Sequence, residues 1–186
     1  MAFGEMGYGN PPGESLEGIP FVFLFRKLMR EANSLDDAER IIKTARRTCS
    51  YVYMISDAKR DNNSKNAMLL VTNRSSVKVF LENTTLEDEL KGREYPAIDD
   101  VVYGGAKNEK LYKVISEYYG KISPDILKEI AKNISLKSNM QNVIFKPATL
   151  ESWVSNATTS KYDAGKACNQ KWFYFNFAKT LGTRMK

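Results

Sequence analysis

The feature that most constrains the fold is a set of three short apolar runs, Tyr51 to Ile55, Ala67 to Thr72 and Val77 to Leu81. Each is rich in β-favouring residues and is joined to the next by a short polar connection. Connections of that length return a strand beside its predecessor and leave no room for a helical crossover. The expectation is an antiparallel meander. The first run is unbroken in its apolar character, which predicts a strand buried on both faces.

Helical signals precede and follow these strands. Gly18-Ile19-Pro20 places a proline at a first helical position, and Phe21, Leu24, Phe25, Leu28, Met29 and Ala32 follow at helical spacing. With Val22 and Phe23 added, the stripe is broad enough to predict a helix packed in the interior of a layered domain. Ser34-Leu35-Asp36-Asp37 reads as an N-cap with an acid three residues on. Leu111 to Tyr118, closed by Gly120, and a run begun by Ser123-Pro124-Asp125 predict two further helices.

Residues 4 to 13 read as a turn-rich loop, and residues 82 to 100 as acidic and irregular. Val101 to Tyr103, Val143 to Phe145, Trp153 to Ser155 and Trp172 to Phe177 are strand candidates. Hairpins in place of crossovers predict an α+β fold, and 186 residues suit one domain.

The sequence contains no histidine and only two cysteines, Cys49 and Cys168. Ser-His-Asp triads and zinc sites using histidine are excluded within these residues. No metal or cofactor site is expected. Both thiols are expected to be reduced and buried, Cys49 as an inert residue at the entry to the core.

The net charge is +6, from 28 basic and 22 acidic residues. The two signs are interleaved, so neither a nucleic-acid nor a membrane partner is expected. Arg46, Arg47, Lys59, Arg60 and Lys65 form a looser basic cluster that reads as a solvated face. Arg26, inside an apolar helix, is expected to reach a buried carboxylate such as Asp57. No apolar run approaches the length that spans a bilayer. The opening residues lack the pattern of a secretory leader. Compartment is left open, and the five Asn-x-Ser/Thr sequences are read as composition.

Several segments together resemble one family. Gly18-Ile19-Pro20-Phe21 running into Leu24 to Ala32, Leu35 to Ala38, Thr48 to Asp57, Ser138 to Pro147 and Trp153 to Ala157 occur in its order. The chain resembles the acyl-CoA:6-aminopenicillanic acid acyltransferase-like branch of the N-terminal nucleophile hydrolases, over roughly residues 3 to 180. The resemblance implies an αββα sandwich, with two antiparallel sheets between helix layers. It also implies cysteine chemistry on amides and thioesters, in which the nucleophile's own α-amino group is the base.

The family's cysteine lies upstream of the Gly-Ile-Pro helix, and here no cysteine precedes Gly18. Cys49 and Cys168 are internal, so neither has a free α-amino group. The expectation is therefore the C-terminal portion of such a fold, with no catalytic residue in these 186 and no turnover or self-cleavage alone. A companion chain carrying the nucleophile, or a homo-oligomer, is the expected partner, with a small amide or acyl compound as substrate. The alternative is a non-catalytic relative that binds or scaffolds. The resemblance places Ser138, Asn139 and Gln141 near the cleft, and Tyr103 completes the candidate substrate-binding set. The competing reading of the first three is a polar helix-to-strand turn.

Overall fold

A computed structural model describes residues 1–7, 9, 13–58, 66–89, 91–159 and 165–184. The fold is α+β with antiparallel sheets, and the chain divides into two compact units, Met1–Asn108 and Glu109–Lys186.

The first unit is built on strands β1 (Ala2–Gly7), β2 (Tyr51–Ser56), β3 (Ala67–Thr72) and β4 (Val77–Phe80), antiparallel in that order. The expected meander is present. An extra strand comes from the opening segment, expected to be a loop. Its glycines carry no strand propensity, but Ala2 to Gly7 pair residue for residue with Ser56 to Tyr51. Backbone pairing along β2 overrides the local signal.

Helices α1 (Phe21–Glu31) and α2 (Leu35–Thr44) cover one sheet face. Leu24, Leu28, Ala38, Ile41 and Ile42 meet Tyr53, Ile55, Met68 and Leu70, which alternate along β2 and β3 as the pleat requires. Phe21 stacks on Tyr51, with ring centroids 4.1 Å apart. Ser34 caps α2 as expected, its hydroxyl accepting from the Asp37 N–H at 3.1 Å.

α1 is not an interior helix. Val22, Phe23 and Met29 are more than half exposed, and only Leu24 and Leu28 are buried. A single sheet contact leaves the rest of so broad a stripe facing water. Arg26 lies on that outward side and has no ion pair among the described residues, so the expected link to Asp57 is not formed.

Gly18 has a local reason to be glycine. Its φ is +146°, and a Cβ there would lie 2.5 Å from the Arg46 carbonyl oxygen. The close approach lets Ile19 donate to that carbonyl at 2.7 Å and bridge Arg47 before α1 begins.

The opposite sheet face carries Val52, Leu69 and Phe80, all buried. Gly104 lies against Leu69, and Gly105 against Met6, so closely that a Cβ on the first would require the Leu69 side chain to shift. Between them and β4 runs a hairpin, β5 (Leu86–Asp88) with β6 (Arg93–Tyr95), in a stretch expected to be irregular. Val101 to Tyr103 is not a strand but a single bridge between Ile98 and Val101.

The second unit contains α3 (Asn108–Glu117, its first residue closing the first unit), α4 (Pro124–Ile134), β7 (Gln141–Lys146), β8 (Glu151–Asn156), β9 (Phe173–Asn176) and α5 (Phe177–Arg184). Ser123 caps α4, its hydroxyl accepting from Ile126 N–H at 3.3 Å. Strands β7, β8 and β9 form an antiparallel sheet in sequence order. The register places Ile144, Trp153 and Tyr174 on one face, and Val143, Val154 and Phe173 beside Phe145, Ser152 and Phe175 on the other. On that second face Val143, Phe145, Phe173 and Phe175 are substantially exposed.

Candidate functional site

The turn from α4 into β7 is where the resemblance placed a cleft, and its polar groups are largely committed to holding the turn. Asn139 and Asn142 exchange amide hydrogen bonds of 2.9 and 3.0 Å. The Asn139 side-chain oxygen also accepts from Cys168 N–H at 2.8 Å, and its backbone carbonyl accepts from Ala167 N–H at 3.0 Å. One asparagine therefore ties a single helical turn, Ala167–Asn169, to the start of a strand. Gln141 donates to the Asn156 side-chain oxygen at 2.8 Å, directly across the β7–β8 ladder. Ser138 is exposed beside them.

Tyr103 belongs to the first unit. It is buried there, with its hydroxyl donating to the Pro96 carbonyl at 2.6 Å. The structure brings Ser138, Asn139 and Gln141 together in one turn. For Asn139 and Gln141 it favours the local backbone and cross-strand roles that Asx-type side chains take in turns.

The cysteines divide differently from expectation. Cys168 is buried at 1% exposure, in the turn held by Asn139. Cys49 is only half-buried, because it lies in the connection before β2 and not in the sheet. Its sulfur receives a hydrogen bond from the Thr48 hydroxyl at 3.4 Å. A hydroxyl donor is no general base, so this contact does not activate the sulfur as a nucleophile. Among the described residues no cluster of three or more acidic or cysteine side chains could hold a metal ion.

A different site emerges where α2 leads into β2. Arg47 was expected on a solvated basic face, but it is 4% exposed. Its guanidinium donates to the carbonyls of Asn73 (2.7 Å), Ile42 (2.5 Å), Ala45 (3.1 Å) and Ser76 (3.2 Å). Among the described residues every partner is a neutral carbonyl. Burial accordingly pulls its pKa below the ordinary arginine value, since desolvation disfavours the charged form. Its neighbours Lys59, Arg60 and Lys65 in the sequence cluster lie outside the described residues.

The turn that Arg47 grips is pinned a second time. The Asn73 side-chain oxygen accepts from Ser75 N–H at 2.9 Å and Ser76 N–H at 2.7 Å. Beside this turn opens a cavity of about 390 Å³, lined by Gly13, Glu14, Arg46, Ser50, Asn73, Arg74 and Ser75. Arg46 and Arg74 both approach one oxygen of Glu17, at 2.7 and 3.6 Å. Glu14 accepts from Ser50 N–H at 3.2 Å, while the buried Ser50 hydroxyl has no hydrogen-bond partner among the described residues. The sequence cluster hinted at Arg46 and Arg47. Ser50 lies close by, just before β2, but nothing in spacing linked the cluster to Arg74, which arrives by way of the β3–β4 turn.

Comparison with protein-family models and with curated proteins found no match for this chain.

Proposed function

We propose that this chain provides the scaffold portion of an amide- or thioester-processing acyltransferase or hydrolase whose cysteine nucleophile is carried on a companion chain. The observation that supports this most is the open apolar face of the β7–β9 sheet, bearing Val143, Phe145, Phe173 and Phe175. Such a face matches the inner surface of a sandwich, where two sheets stack about 10 Å apart through interdigitated side chains. The resemblance supplies the chemistry. A cysteine whose α-amino group titrates near 7.7–8.0 can pass its thiol proton to that amine. Sulfur then attacks the acyl carbon, the amine or thiol departs with the proton, and water or an acceptor takes the acyl group.

The test is reconstitution. The purified chain alone should show no hydrolysis of chromogenic amides or thioesters and should keep its intact mass on long incubation. Mixed with a cysteine-led chain encoded in an adjoining reading frame, it should form a defined complex that turns over. That activity should vanish when the leading cysteine becomes alanine. Turnover by this chain alone, or a stable complex with no turnover, would overturn the reading. The second outcome would favour a non-catalytic binding or structural module. The engaged side chains of Asn139, Gln141 and Tyr103 already speak for that alternative.

A further inference from the structure

The cavity beside the β3–β4 turn contains none of the residues that the resemblance placed near a substrate, and its lining has a definite chemical character. Two guanidinium groups, Arg46 and Arg74, converge on a single carboxylate oxygen of Glu17, itself 72% exposed. A third, Arg47, is buried next to the same turn and has only neutral carbonyls as partners among the described residues. Its charge is therefore not cancelled locally, and in a low-dielectric setting an uncompensated cation raises the potential over its surroundings. The turn presenting Arg74 and Ser75 is fixed by Arg47 from beneath and by the Asn73 side chain from within. A binding surface held in advance loses little entropy when a ligand arrives.

Ser50 adds an unmet polar group. The residue lines the cavity and is 3% exposed, and its buried hydroxyl has no partner among the described residues. Native proteins leave few such groups unsatisfied, and a ligand or water is a common reason.

We propose that this cavity binds a small polar molecule through an anionic oxygen group, a carboxylate or a phosphate, and that Glu17 holds the anion's place when no ligand is bound. Arginine forks suit both kinds of oxyanion, because their paired N–H groups match the spacing of the oxygens. At about 390 Å³ the cavity has room for more than the anion itself. Ser75, Asn73 and Glu14 leave its wall polar, which fits a ligand with hydroxyl or amine donors and disfavours an acyl chain. The site is independent of the reconstitution test, since it uses no residue of the β7–β9 sheet.

Isothermal titration of the full chain with inorganic phosphate and, separately, with succinate tests this, with chloride adjusted to hold ionic strength constant. Saturable binding of at least one probe is expected, and the tighter one identifies the oxyanion class. Arg46→Ala and Arg74→Ala should each weaken binding about tenfold or more, the usual loss for a charge-assisted hydrogen bond. Glu17→Gln removes the internal competitor and should tighten binding about two- to fivefold, in keeping with the strength of exposed ion pairs. Arg30→Ala, on the outward face of α1, should change nothing. All four positions are exposed or half-exposed, so thermal melts should match the parent chain. Absence of saturable binding in both the parent and Glu17→Gln would overturn the proposal. So would an equal loss from Arg30→Ala and Arg74→Ala, which would mark diffuse charge attraction.

Discussion

Arg46 and Arg47 are adjacent in sequence and have opposite roles. Arg46 is exposed and pairs with Glu17, while Arg47 is enclosed and donates to four carbonyls drawn from the end of α2 and the β3–β4 turn. Removing a buried donor leaves acceptors unsatisfied, at about 1–3 kcal/mol for each that water cannot reach. Arg47→Ala should therefore cost at least about 2 kcal/mol, and Arg46→Ala under about 1 kcal/mol. Chemical denaturation of the two variants checks the difference, and equal losses would refute the structural role of Arg47. Asn139 is a similar case in the second unit. Asn139→Ala removes four side-chain bonds and should cost about 1–3 kcal/mol, measured the same way.

Among the elements, α1 separates core from surface most sharply. Leu28 is fully enclosed against the sheet, whereas Phe23 is 63% exposed, so truncating it opens no cavity. Leu28→Ala should cost about 2–5 kcal/mol, and Phe23→Ala under about 1 kcal/mol, by urea melts. The β8–β9 ladder carries a pH-sensitive contact. Glu151 accepts from the hydroxyls of Thr149 at 2.5 Å and Tyr174 at 2.6 Å, with Lys146 3.7 Å away. These contacts hold its pKa below the ordinary glutamate value. A carboxyl depressed in the folded state binds fewer protons there than when unfolded. Its contribution is thus complete above the unfolded value of about 4.3 and is lost as pH falls through the folded one. Glu151→Gln should flatten the fall in melting temperature below pH 5 (approximately), and an unchanged acid limb would refute the assignment.

For the whole molecule, the informative facts are its two compact units and, among the described residues, the exposure of Val143, Phe145, Phe173 and Phe175 on one face of the β7–β9 sheet. The first unit has its own core, formed by α1 and α2 on a four-stranded sheet. A fragment of residues 1–108 should therefore unfold cooperatively by itself, as a domain with its own core can. A fragment lacking dispersed amide resonances would show that its core needs the remainder of the chain. Exposed aromatic patches promote association. Phe173→Ser and Phe175→Ser should lower any self-association seen by sedimentation, with under about 1 kcal/mol lost in stability, because both rings are about half exposed.

The amino-acid pattern alone determined the α+β class, the three hairpin-linked strands, the capped starts of α2 and α4, and the pairing-prone segments near Val143 and Trp153. All of these depend on local periodicity or on contacts a few residues apart, which a single sequence displays directly. Tertiary structure decided the rest. Ala2 to Gly7 became a strand because β2 offered its free edge, and the β5–β6 hairpin formed in a stretch whose composition is acidic. Arg47 was buried, and Cys49 left half-exposed, by where the β2 entry lies against the Asn73–Ser76 turn. Asn139 and Gln141 were legible as polar residues at a turn, but their hydrogen-bond partners were not. Burial and partnership at such positions depend on residues fifteen or more places away in the chain, and no local pattern encodes which of them will meet.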